Sequence, residues 1–153
     1  MVLSGCLFAM GALLVIDNGI ARADINTQGN ICVAALEEQS IEYNTSGVEN
    51  PSASPVSIEC AIPRPSVPST DTTTFFVDGA NFNGASTNCT LFVSEFSGTF
   101  RFLQILPTLS GPASRISVQF AAGRIANSDH VTLLCALRAN RGGRISGVNA
   151  VGP

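Results

Sequence analysis

The stretch that most constrains this chain is HVTLLCALR, residues 130–138. Val131, Leu133, Cys135 and Leu137 alternate with Thr132, Leu134, Ala136 and Arg138. A period of two places the two sets on opposite faces of a β-strand, and one face is wholly apolar with a cysteine in it. Two earlier runs, PVSIECAI and TNCTLFVSEF, have the same build. A chain with several such runs folds by packing apolar strand faces together, and its inward cysteines are placed to cross-link them.

The same period predicts strands at 41–44, 55–62, 72–78, 88–96, 99–106, 115–120, 130–138 and 144–151. In the run at 55–62, Val56, Ile58, Cys60 and Ile62 face inward while Ser57, Glu59 and Ala61 face outward. Turn chemistry separates the strands. GVENPSASP, GANFNGAST, Ser97-Gly98, the link 107–113 and NRGG are rich in Gly, Pro, Asn and Ser. Pro63, Pro65 and Pro68 end one strand, because proline has no N–H to give to a ladder, and the connection that follows suits passage between sheets. The segment INTQGN reads as polar and loose. No long helix is expected in this part of the chain. The expected fold is all-β, an antiparallel β-sandwich (Ig-like or jelly-roll-like) of about seven or eight strands, with a closed barrel as the alternative.

Ahead of this lies an almost unbroken apolar run from Val2 to Ile16, then Asp17-Asn18-Gly19 and Ala21-Arg22-Ala23. These read as the apolar core and A-x-A cleavage site of a signal peptide, 1–23, with a single domain over 24–153. The run falls short of the roughly 20 residues that a spanning helix needs, so no integral membrane span is expected after cleavage. No Lys or Arg precedes it. Leu3-Ser4-Gly5-Cys6 offers a second export reading, a lipobox that would anchor the protein at Cys6. Under either reading the protein is secreted, periplasmic or held at the cell surface.

Four cysteines remain in the domain: Cys32, Cys60, Cys89 and Cys135. An even number in a short exported chain reads as disulfides. Zinc ligands usually come in close pairs, and here no C-x-x-C and only one histidine occur; no metal site and no cofactor are expected. Four cysteines permit three connectivities. The favoured pairs are Cys32–Cys60, which closes the N-terminal segment, and Cys89–Cys135, which joins two core-facing strands.

Charge argues against nucleic acid as a partner. The net charge is −3, all eight basic residues are arginine, and no basic stripe is visible. Arg138, Arg141 and Arg144 flank a Gly-rich turn and read as solvated charges. Catalytic chemistry is thinly supplied. His130 follows Ser128 and Asp129 directly, whereas a triad gathers its members from separated positions; a turn cap is the simpler reading. Glu37 and Glu38 are neighbours that point apart, and a hydrolase would need carboxylates gathered from separate strands. Asp78, Asn81 and Asn83 in DGANFNG carry the oxygen ligands that calcium prefers, without EF-hand spacing, and form the candidate ligand loop. Asn44-Thr45-Ser46 and Asn88-Cys89-Thr90 match glycosylation acceptors.

An early Cys32, the Val56–Pro63 strand ending in prolines, Asn88-Cys89-Thr90 and Leu133–Leu137 followed by Ile145–Val148 resemble uncharacterised secreted β-sandwich proteins of bacteria. That resemblance implies a fold and no activity. Cys32 and Cys60 flanking a partly extended segment resemble pilus-subunit domains of the spore-coat-U kind, which implies a donor strand completing a neighbour's sheet. The expected function is therefore an exported, non-enzymatic structural or binding protein. The alternatives are a self-assembling surface subunit and a secreted hydrolase. Self-association or a surface partner is compatible with the residues, and no specific partner is legible.

Overall fold

A computed structural model describes residues 24–28, 31–63 and 72–151. The expected signal peptide, Cys6 and residues 64–71 of the proline-rich connection lie outside these. The described residues form two antiparallel sheets, and they include no α-helix. The sandwich expected from the sequence is the fold observed.

The strands in chain order are β1 (Asp24–Gln28), β2 (Cys32–Ala34), β3 (Glu42–Asn44), β4 (Gly47–Glu49), β5 (Val56–Ile62) and β6 (Thr73–Asn81). They continue with β7 (Ser86–Ser94), β8 (Phe100–Ile105), β9 (Leu109–Ser110), β10 (Ser114–Phe120), β11 (His130–Leu137) and β12 (Gly143–Val151). One sheet has the order β10-β6-β12-β4-β3, with β1 also on β12; the other has β2-β5-β11-β7-β8, with β9 also on β7. The proline-rich connection therefore leaves one sheet at β5 and enters the other at β6.

The opening stretch is the centre of the second sheet. β11 lies between β5 and β7, with Cys135 opposite Ile58 on one side and Cys89 on the other. Val131, Leu133, Cys135 and Leu137 are all buried, as the alternation requires. The disulfides are Cys32–Cys60 and Cys89–Cys135, each across two directly opposed residues of neighbouring strands, with Cα atoms 3.9 and 4.1 Å apart. Both bridges lie within this one sheet and on its inner face. None of the four sulfurs joins one sheet to the other.

Side-chain contacts close the two flanks of the sandwich. On one flank Phe120 of β10 meets Phe75 edge-on at 5.9 Å and Phe102 of β8 at 5.7 Å between ring centroids. On the other, Tyr43 of β3 donates its hydroxyl to the Cys32 carbonyl of β2. A partly exposed Tyr with its tip satisfied suits such a position.

The structure departs from the expected strand pattern at three places. Residues 25–28 of INTQGN are not loose: Asp24–Gln28 pairs in register with 147–151 of β12. Within GVENPSASP, β4 is a buried strand, because Val48 fills the core and Glu49 is opposite Arg144. The loop expected at 79–87 shrinks to 82–85. β6 runs on to Asn81, whose amide donates to the Leu109 carbonyl and accepts from Thr87 Oγ1 at 2.7 Å, so a polar residue is satisfied inside the strand pairing. Short pieces such as β2, β4 and β9 explain why the strands outnumber the seven or eight expected.

Asn50 anchors the turn after β4. It is fully buried, donates to the carbonyls of Ser54 and Leu137, and accepts from the Ser52 N–H at 2.9 Å. Asn50→Ala removes all three bonds and leaves the buried Leu137 carbonyl without this donor, and chemical denaturation should show a loss of about 2–3 kcal/mol. A loss below the error of the melt would mean that the turn holds without its side chain.

Candidate functional site

Two surface depressions carry polar side chains from several elements. The first lies on the outer face of the β10-β6-β12 sheet, with a volume of about 390 Å³, and includes Asp78, Ser114, Arg115, Arg144 and Ser146. Its charged groups hold one another. Arg115 donates through Nε and Nη2 to the two carboxylate oxygens of Asp78 at 2.5 and 2.8 Å, a two-pronged pair that holds the guanidinium above its usual pKa. Arg144 reaches Glu49 at 3.3 Å and lies 5.6 Å over the Phe82 ring. Arg141 pairs with Glu42 and also faces Glu49, and its pKa is raised by the hydrogen bond and charge of Glu42. The C-terminal arginines are thus partnered by carboxylates of β3 and β4. Only Arg138 of that trio lacks such a pair.

The candidate ligand loop does not form one. Asp78 is a strand residue engaged by Arg115, Asn81 is a buried strand residue, and Asn83 sits in the exposed turn with a left-handed φ of 55°. Asn83 and Gly84 supply the turn conformation that an L side chain with a Cβ disfavours. Among the described residues no cluster of three His, Cys, Asp or Glu could hold a metal ion.

The second depression, about 580 Å³, opens at one end of the β2-β5-β11-β7-β8 sheet. Its wall comes from the end of β5, the β7–β8 turn, the loop before β11 and the first residues of β11. The turn presents Phe96, a residue 75% exposed. A phenyl ring held out at a hairpin tip packs little against its own domain and presents a flat apolar face to solvent. The tip is a hydrogen-bonded turn: Gly98 takes φ 85° and donates to the Glu95 carbonyl at 2.9 Å, while Glu95 N–H bonds to the Thr99 carbonyl.

Around Phe96 stand Asn127, Ser128, His130 and Thr132. Asp129 behind them is buried, and it does the positioning. Its carboxylate accepts from Ala126 N–H at 2.7 Å and from Arg101, while its own N–H returns to the Ala126 carbonyl at 3.0 Å. That is the turn cap expected for the Ser128-Asp129-His130 run. Asp129 is spent on this cap, and His130, exposed at the mouth of the depression, receives no carboxylate from it. The depression contains one carboxylate, as does the first, so neither brings together the two that a glycosidase of the usual kind needs. What it offers is one open ring beside hydroxyl, amide and imidazole groups. Alternation along β11 makes His130 an outward residue; nothing in the sequence marks Phe96 as its neighbour, because a turn residue and a strand start 34 positions apart meet only through β7–β11 pairing.

The chain matches no protein-family model, and no curated protein is similar to it in sequence. Solved structures share its fold. A family 35 carbohydrate binding module from Clostridium thermocellum superposes with a TM-score of 0.53 at 10% identity, over 84% of this chain and 97% of that one. A CBM35 from Cellvibrio japonicus gives 0.52 at 14%, over 85% and 94%. The xylan-binding module CBM15 gives 0.50 at 13%, over 84% and 96%. At these identities the likeness is one of fold, an antiparallel β-sandwich.

Proposed function

We propose that this chain is an exported, non-enzymatic binding module that holds a glycan in the depression beside Phe96. The observation that carries the reading is the open ring of Phe96 next to Asn127, Ser128, His130 and Thr132. A sugar presents an apolar face of C–H groups and a rim of hydroxyls, so a flat ring with donors and acceptors to one side is complementary to it. The depression has the size of a small-ligand site and is shallow, which suits a segment of a longer chain passing over it. Two disulfides in a small domain suit an oxidising compartment outside the cytosol. The shared fold with carbohydrate-binding modules, one of them described as xylan-binding, supports the same class of ligand.

Affinity electrophoresis through gels containing soluble xylan, mannan or galactan tests this. The purified protein should be retarded by at least one of them, and Phe96→Ala should weaken that retention by about tenfold, in line with the loss of one ring contact. Thermal stability should not change, since the ring is exposed. Retention unaffected by Phe96→Ala would place the glycan elsewhere; no retention on any glycan would remove the reading.

A further inference from the structure

The edges of the two sheets are not equally defended. A sheet edge presents unpaired N–H and C=O groups, and proteins normally blunt it with short strands, charges or proline. Among the described residues six strands pair on one side only. β2 and β3 have three residues each, with Glu42 on β3, β9 has two, β1 begins with Asp24, and β10 carries Arg115. The longer edge β8 is not blunted in this way. FRFLQI runs for six residues without an acid, a lysine or a proline, and its one charge, Arg101, is turned aside onto Asp129.

The backbone of β8 is poised outward. Leu106 N–H bonds to the Cys89 carbonyl, so in the antiparallel ladder Gln104 and Phe102 share that orientation toward β7. Leu103 and Ile105 therefore aim their own N–H and C=O groups away from the sheet. The Gln104 side chain bends back to give a hydrogen bond to the Ile105 carbonyl at 2.9 Å, a local substitute for a missing strand. On the outer face of the same strand Phe100, Leu103 and Ile105 are 58, 49 and 70% exposed. Leu103 is opposite Phe92 of β7, so the apolar strip continues across the sheet.

The geometry points to a second copy of this chain as the occupant of that edge, with β8 pairing antiparallel to β8 of its twin. A twofold axis at Gln104 sets Leu103 against Ile105 of the other copy and Ile105 against its Leu103. These are the positions whose backbone groups face outward, so both pairs bond on their free sides. The like side chains are apolar, and no like charges meet even though each chain carries −3 overall. The two sheets would become one continuous sheet through the dimer, a closed arrangement that removes the exposed edge from both copies.

Sedimentation velocity of the purified protein over a wide concentration range tests this. A monomer–dimer equilibrium is expected, and Leu103→Lys with Ile105→Lys should raise its dissociation constant at least about tenfold by setting like charges across the axis. Ile105→Lys alone is the second variant, and both should melt with the wild type because the replaced side chains are exposed. A wild-type protein that stays monomeric at every concentration overturns the inference. So does a dimer that survives both variants.

Discussion

Cys89→Ala/Cys135→Ala should lower the melting temperature by about 10–20 °C. The bridge spans 46 residues, and loop closure of that length removes about 4 kcal/mol worth of unfolded-chain freedom in the entropic account. A domain of this size is stable by only about 5–15 kcal/mol, so the change is a large share of the whole. Alanine is the right replacement. Both cysteines are on the inner face, and serine would add the separate cost of burying a hydroxyl. The Cys32–Cys60 bridge spans 28 residues and is worth about 3.5 kcal/mol by the same account. Reducing both should leave a chain close to the unfolding threshold. Melting curves with and without reductant check this: the wild type should fall steeply in reductant, and a variant lacking all four cysteines should ignore it. A double variant melting within a few degrees of the wild type would mean that strand pairing alone holds this sheet.

Gly47→Ala should cost at least about 3 kcal/mol and detach the β3–β4 hairpin from the sheet. Gly47 has φ 132°, a conformation open to glycine and strained for any residue with a Cβ. Space is also absent. An added Cβ would lie 2.1 Å from the Ile145 carbonyl oxygen and 2.8 Å from the Ser146 Cα, both backbone atoms that cannot swing away. The cause is a bulge in β12, where the register with β6 shifts between Ile145 and Gly147 and pushes backbone toward β4. Moving β4 off would expose Val48 and separate Glu49 from Arg144 and Arg141. Urea denaturation gives the loss directly, and hydrogen exchange at residues 42–49 should rise ahead of global unfolding. Wild-type protection at those amides would show that the bulge relaxes instead.

The central strands were legible from residue pattern alone. In β5, in β11 and in β7 from Cys89 onward every second side chain is apolar and every one of those is buried, because alternation across a pleat is a local steric property. Cys60, Cys89 and Cys135 inherit their inward faces from the same pattern, but which cysteines pair depends on which strands become neighbours. Polar or short elements were not legible. Asp24–Gln28 has no apolar alternation and becomes a strand because β12 offers it an edge. Val48 is one apolar residue among turn formers, and pairing with β12 and β3 makes its segment a strand. Asn81 reads as a loop ligand until Thr87 and Leu109 are seen to satisfy it.

The candidate site shows the same division. His130 begins β11 by its pattern, but its place in the proposed site depends on Phe96, and that proximity is created by β7 lying beside β11. The sequence by itself determined that this chain is built of two-faced strands with cysteines on the inner faces. Those are consequences of backbone geometry acting over a few residues. Which strands became edges, where a ring stands open, and which carboxylate each arginine finds were decided only by the tertiary structure. They follow from pairings between residues far apart in the chain, whose loop-closure cost is offset by burial that no local pattern encodes.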